Sequence, residues 1–261
     1  MRLIDGAEAI LGDLPQASTV TIPVPLEAGD ELGSGIARCS SLQMTYQRAR
    51  EALNAIDDWV LTIGGDCSAE LAPISRAVEQ SRGDIAVLWF DAHADLHNQV
   101  SSRTGAFTGM VLRALTGDGC VELSPATPLP PSHIVLAGAR SLDASEVSFI
   151  AQQEIRTLTV EDLGQPSTII AALEATGASA VYIHVDLDVL DPGEIAGIND
   201  PVPFGVSTEV LISAITAVRR NCRVIGAGVT SFAPSSLANA SDDLPTILRI
   251  IGALTRTIQP T

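Results

Sequence analysis

The chain contains no lysine: all 15 of its basic residues are arginine, set against 31 acidic residues, for a formal net charge of -16. That absence excludes the catalytic lysine of Schiff-base and pyridoxal chemistry, and with it a standard phosphate-binding loop. The surplus of acid repels phosphate backbones and argues against nucleic acid or an anionic membrane as a partner. Cysteine is also scarce. Cys39, Cys67, Cys120 and Cys222 are dispersed without paired spacing, as expected of reduced thiols in a cytoplasmic protein. Apolar runs are short and broken by Gly, Asp or Pro, and none approaches the roughly 18 to 20 residues needed to span a bilayer. The N-terminus has no basic segment followed by an apolar core, so no secretory signal is expected. With 261 residues and 46% hydrophobic content, the chain can bury a sizeable core as a single α/β domain over residues 1–261.

Against these absences stands one dense stretch, Asp91-Ala92-His93-Ala94-Asp95, directly after the apolar run Ile85 to Phe90. A continuous apolar run predicts a buried parallel strand, so the carboxylates and the imidazole emerge where that strand ends, where open α/β sheets keep their sites. Clustered anions repel unless a cation or strong hydrogen bonding offsets them, and a divalent metal is the simplest explanation. A second strand, Ala180 to Val185, runs into Asp186-Leu187-Asp188-Val189-Leu190-Asp191-Pro192, with Asp186 and Asp188 on the same side. A third, Trp59 to Ile63, leads through Gly64-Gly65-Asp66 to Cys67 at the mouth of a helix.

The rest of the chain alternates. The pattern predicts a helix over 7–14, a strand over 18–24, and a helix capped by Ser40 or Ser41 that carries Leu42, Tyr46, Ala49, Leu53 and Ile56. Helices are further expected to about Gln80 and over 110–115, 144–153, 167–175, 208–219 and 244–258, with strands over 133–137, 155–158 and 224–229. Residues 96–109 and 192–204 are expected as loops, and 124–132 as an extended surface excursion. Repeated βα units imply a three-layer α/β/α fold with a mostly parallel central sheet.

The three strand-end motifs, in this order, resemble the arginase and agmatinase (ureohydrolase) family, whose patterns are Gly-Gly-Asp-His-Ser, Asp-Ala-His-x-Asp and Asp-x-Asp-x-x-Asp-Pro. The last two match fully, and the first has Cys67 in place of its histidine. The resemblance implies an arginase-like fold and two divalent metal ions, manganese first. By position, Asp91 and Asp186 would bridge the ions, Cys67 and Asp95 would complete one site, and His93 and Asp188 the other. A hydroxide held between them would attack the carbon of a linear amidine or guanidine. The same resemblance implies a homo-oligomer, trimer or hexamer, acting on a small molecule.

Three departures qualify the resemblance. A Cys67 thiolate adds softness and charge, which moves metal preference towards zinc, iron or cobalt. Counted from Asp95, Thr108 falls where arginases place a proton-shuttling histidine, and His97 where they place a substrate-binding asparagine; His97, Thr108 and Asp95 are the candidate catalytic residues. Ser231 occupies the position of the acid that pairs with a guanidinium, and a hydroxyl cannot supply that charge-assisted contact. Ordinary L-arginine is therefore a doubtful substrate, and His97, Thr108 and Ser231 are the candidate substrate-binding residues. Asp66 and Asp191 are expected to hold turns, and His184 to be a buried, hydrogen-bonded histidine. Two other outcomes stay open: a catalytically silent metal-binding protein, or a hydrolase of an amide or phosphoester.

Overall fold

The computed structural model describes residues 3–256. Its strands are β1 (Val60–Ile63), β2 (Ala86–Phe90), β3 (Ile134–Ala137), β4 (Arg156–Leu158), β5 (Val181–Asp186) and β6 (Val224–Thr230). They form one sheet in the order β1-β6-β5-β2-β3-β4, every pairing parallel. The helices are α1 (Leu3–Gly12), α2 (Cys39–Asn54), α3 (Leu71–Gln80), α4 (Val111–Leu115), α5 (Ala144–Gln152), α6 (Val160–Leu163), α7 (Pro166–Glu174), α8 (Thr208–Asn221) and α9 (Leu237–Thr255).

Strand alternation sorts the core into two layers. Ala86, Leu88 and Phe90 face a cluster built with α1 and α6 to α9, whereas Ile85, Val87 and Trp89 face one built with α2 to α5. Helices therefore cover both faces, and the three-layer α/β/α fold expected from the sequence is the one that forms. No helix among the described residues is long and apolar enough to cross a membrane.

Local chemistry sets the helix ends. Asp143 and Glu146 form a capping box at the start of α5, and the side chains of Ser207 and Ser236 cap α8 and α9. Three expectations fail. Residues 18–24 form no strand, because they find no neighbour in the sheet: Val20 and Val24 are 62% and 60% exposed, and the carbonyl of Pro23 accepts from Arg48 instead. Neither Ser40 nor Ser41 caps α2; the cap residue is Arg38 at φ 62°, while Ser40 accepts from the Asp30 amide and Ser41 donates to the Glu27 carbonyl. The last helix begins at Leu237 rather than Leu244 and carries Pro245 inside it. Its polar first turns are held from outside, since the Asp243 carboxylate accepts from the amides of Ala196 and Gly197. The expected far end of that helix, Ile258, lies outside the described residues.

Candidate metal centre

Register brings the motifs together. Phe90 pairs with Val185 across β2 and β5, so Asp91 and Asp186 leave neighbouring strands side by side. On the other flank Asp186 pairs with Thr230 of β6, and Ile63 of β1 pairs with Val229. The Gly64-Gly65 turn is then tied back to β6, with the Gly64 amide donating to the Val229 carbonyl at 3.0 Å and the Ser231 amide to the Gly65 carbonyl at 2.7 Å. Asp66, as the sequence suggests, holds this turn by accepting from the Ser68 amide at 3.0 Å. Cys67 is thereby delivered over the ends of β5 and β2.

Two groups of potential ligands result, and within each the ligand atoms lie within 4.8 Å of one another. The first joins Cys67, Asp91, His184 and Asp186, all buried; the second joins Asp91, His93 and Asp188. Asp91 belongs to both. In the first, Cys67 Sγ lies 2.9 Å from Asp186 Oδ2, 3.7 Å from His184 Nε2 and 3.8 Å from Asp91 Oδ2. In the second, His93 Nδ1 lies 2.8 Å from Asp188 Oδ2 and 3.5 Å from Asp91 Oδ1. Neighbours fix the carboxylates: Trp89 Nε1 and the His93 amide donate to Asp91, the Ala92 amide to Asp188, and the Asp188 amide and the Ser231 hydroxyl to Asp186.

Among themselves, the charges of the cluster oppose one another. Burial, then the neighbouring carboxylates, push Asp186 up to about 6 and Asp188 up to about 7. Burial and the Asp186 charge raise the Cys67 thiol well above its ordinary range, and burial with Asp91 does the same to Asp95. Burial alone would lower His93, but hydrogen bonds and charge from Asp188 and Asp91 outweigh it and push the imidazole up to about 12. A divalent cation would reverse this pattern by rewarding the deprotonated forms. The donor set fits such an ion, and so does the buried Oδ2 of Asp95, which has no hydrogen-bond partner.

The remaining expected site residues are placed as follows. Asp95 is 5% exposed, sits at φ 52° and lies beside the first group without joining it. His97 does not join either group: its Nδ1 lies 3.1 Å from Ser101 Oγ and its Nε2 3.4 Å from Asp143 Oδ2 and 3.6 Å from Glu146 Oε2. Thr108 is half-buried in the short 3-10 turn Phe107–Met110. Ser231, at φ 70°, spends its hydroxyl on Asp186. Asp191 is structural, accepting from the amides of Gly193, Phe204 and Gly205. Arg140 likewise staples loops, donating to the carbonyls of Asp188, Val202 and Pro203.

Two residues near the centre escape the sequence reading. His184 is buried and hydrogen-bonded as expected, but through Nε2 to Cys67 in the cluster, while Nδ1 has no partner. Its place two residues before Asp186 on the same strand face was the signal. Asp200 lies on the 192–204 loop, 81% exposed, with Oδ2 3.8 Å from His93 Nε2; an irregular loop gave no signal for it.

The arginase-family profile matches residues 11–247. The chain belongs to the arginase family. An arginase of Staphylococcus aureus (strain COL) is 37% identical over 155 residues, which is 56% of this chain and 51% of that protein, so the chain spans about half the length of this curated relative. Among solved structures, Entamoeba histolytica arginase in complex with L-ornithine superposes with a TM-score of 0.85 at 21% identity, covering 97% of this chain and 92% of that one. Formimidoylglutamase from Bacillus subtilis subsp. subtilis str. 168 gives 0.67 at 20% identity, covering 88% and 70%. At these identities the structural likenesses establish the arginase fold.

Proposed function

We propose that this arginase-family chain is a metal-dependent hydrolase of a linear amidine or guanidine-type C–N bond. The observation that carries the reading is the sharing of Asp91 between two ligand groups, the arrangement a binuclear centre requires. Asp91 and Asp186 would bridge, Cys67 and Asp95 would serve one ion, and His93 and Asp188 the other. Bound divalent ions would lower the pKa of water and so supply a nucleophile at neutral pH for the amidine carbon. Manganese is the family's expectation, and the Cys67 thiolate shifts preference towards zinc, iron or cobalt.

The chain's own residues bear on substrate. Ser231 leaves no carboxylate at the position where arginases pair a guanidinium, and its hydroxyl is already donated. Asp200 stands across from it: the Asn199 amide donates to the Ser231 carbonyl at 3.0 Å, and the Asp200 carboxylate reaches the edge of His93 from an exposed position. A cationic group entering the centre would meet Asp200 instead of Ser231. His97, held between Asp143 and Ser101, would serve the distal part of a substrate, and Thr108 would donate or accept a hydrogen bond without carrying a proton at neutral pH. The neighbours named above include an arginase and a formimidoylglutamase, so the fold does not choose between guanidino and formimino substrates.

Metal-loaded protein should release urea, ammonia or an amide from at least one of agmatine, guanidinobutyrate, formiminoglutamate, hydroxyarginine and guanidine, and Asp91→Ala should abolish it. No release from any of them by protein shown to hold metal would refute the reading.

A further inference from the structure

The motif position that is histidine in the family is Cys67 here, and an imidazole returns to the same place from another strand. Trp89, His184 and Gly228 are direct lateral neighbours on β2, β5 and β6, and Thr62 of β1 continues the row. The His184 ring stacks on Trp89 with centroids 3.6 Å apart and an interplanar angle of 21°. Gly228 has no side chain, and Glu70, three residues after Cys67, fills that space: a Cβ on Gly228 would lie 1.9 Å from Glu70 Oε1. Glu70 Oε2 then approaches His184 Nδ1 at 3.7 Å. His184 and Glu70 are both 0% exposed; His184 Nδ1 has no hydrogen-bond partner, and beside the Glu70 carboxylate the other buried polar group is the Tyr182 hydroxyl. Orphaned buried polar groups of this kind are costly and need an explanation.

We infer that His184 supplies the imidazole nitrogen to the ion at Cys67, making a first site of Cys67, His184, Asp91 and Asp186, with Glu70 as the positioning residue behind the ring. A carboxylate at the far ring nitrogen of a metal-bound histidine fixes the tautomer and raises ligand basicity, which gives the buried Glu70 its role. The spacing fits. Bonds of about 2.0 Å to nitrogen and about 2.3 Å to sulfur place the two ends of a tetrahedral pair about 3.5 Å apart, and Sγ and Nε2 are 3.7 Å apart. One sulfur, one nitrogen and two carboxylates suit zinc or cobalt better than manganese. Asp95, beside the group with its buried Oδ2 unpartnered, stays the further ligand of this ion named above.

The inference rests on the binuclear-centre reading above, and the test separates the two. The chelated full chain is titrated with Co2+ and, in competition with a chromophoric chelator, with Zn2+, for wild type and for Cys67→Ser, His184→Ala, Glu70→Gln and Asp95→Asn; circular dichroism checks that each variant is folded. The expected result is a thiolate-to-cobalt charge-transfer band in wild type, lost in Cys67→Ser. His184→Ala should weaken first-site Zn2+ affinity at least about 100-fold and alter the cobalt ligand-field spectrum, while Glu70→Gln loses about tenfold with the spectrum retained. Asp95→Asn should change affinity less than His184→Ala. His184→Asn provides a polar, smaller variant should His184→Ala not fold. Folded His184 variants that bind Zn2+ and Co2+ as wild type does would overturn this assignment alone. Wild type that binds neither ion would overturn both.

Discussion

If the proposed centre forms, the chemistry of single positions decides what it accepts. On the proposed reading, Cys67 would exchange the family's neutral ligand for a thiol, one whose pKa burial and the Asp186 charge raise. On the same reading Ser231 would leave a guanidinium without the fixed negative charge it needs, and Asp200, exposed beside His93, would be the carboxylate that meets it. Asp200→Asn is therefore expected to raise KM for a cationic substrate about tenfold with kcat much less affected, in line with about 1.5 to 3 kcal/mol for a hydrogen bond to a charged group. Steady-state kinetics on whichever amidine is turned over checks this, and an unchanged KM would remove Asp200 from substrate binding.

At the level of strands and turns, the site depends on glycine as much as on its ligands. Gly228→Ala would drive a methyl group into Glu70 within the row that holds His184. Overpacking of this kind typically costs about 1 to 3 kcal/mol, so the variant should show that loss in urea unfolding together with weaker metal binding. A variant as stable as wild type would show that Glu70 can move aside freely. The elements that the sequence made legible are those whose periodicity matches their burial. Continuous apolar runs such as Ala86 to Phe90 became strands buried at every position, and Asp91, His93, Asp186 and Asp188 were readable because strand parity places them at strand ends. The segment at 18–24 has strand-like alternation, but a strand exists only with a partner, which is a tertiary fact. The start of α9 was hidden because Asp243 is secured by the amides of Ala196 and Gly197, far away in sequence. His184 was readable as buried but not as facing Cys67, because that contact depends on β5 and the Gly64-Gly65 turn meeting at β6.

For the molecule as a whole, the cluster links stability to pH. A group whose pKa is raised by folding binds more protons in the folded than in the unfolded state between its two values, so stability falls as pH rises through that window. For Asp186 the window runs from 3.8 to about 6, for Asp188 from 3.8 to about 7, and for His93 from 6.5 to about 12. All three therefore destabilise metal-free protein as pH rises. Metal binding requires the deprotonated groups and releases their protons, so the rise in Tm produced by saturating Zn2+ or Mn2+ should be larger near about pH 8 than near about pH 5.5. Thermal melts with chelator and with metal at each pH report the difference, and an increment independent of pH would contradict the proposed coupling. The formal charge of -16 acts in the same sense over a longer range, drawing cations rather than phosphates towards the protein.

The most direct measurement is elemental analysis of the reconstituted protein beside Asp91→Ala, because Asp91 is the one side chain common to both ligand groups. Two divalent ions per chain are expected in wild type, with both sites weakened together in the variant. Wild type that retains no ion, or a variant that retains two with unchanged affinity, would contradict a metal centre built around Asp91.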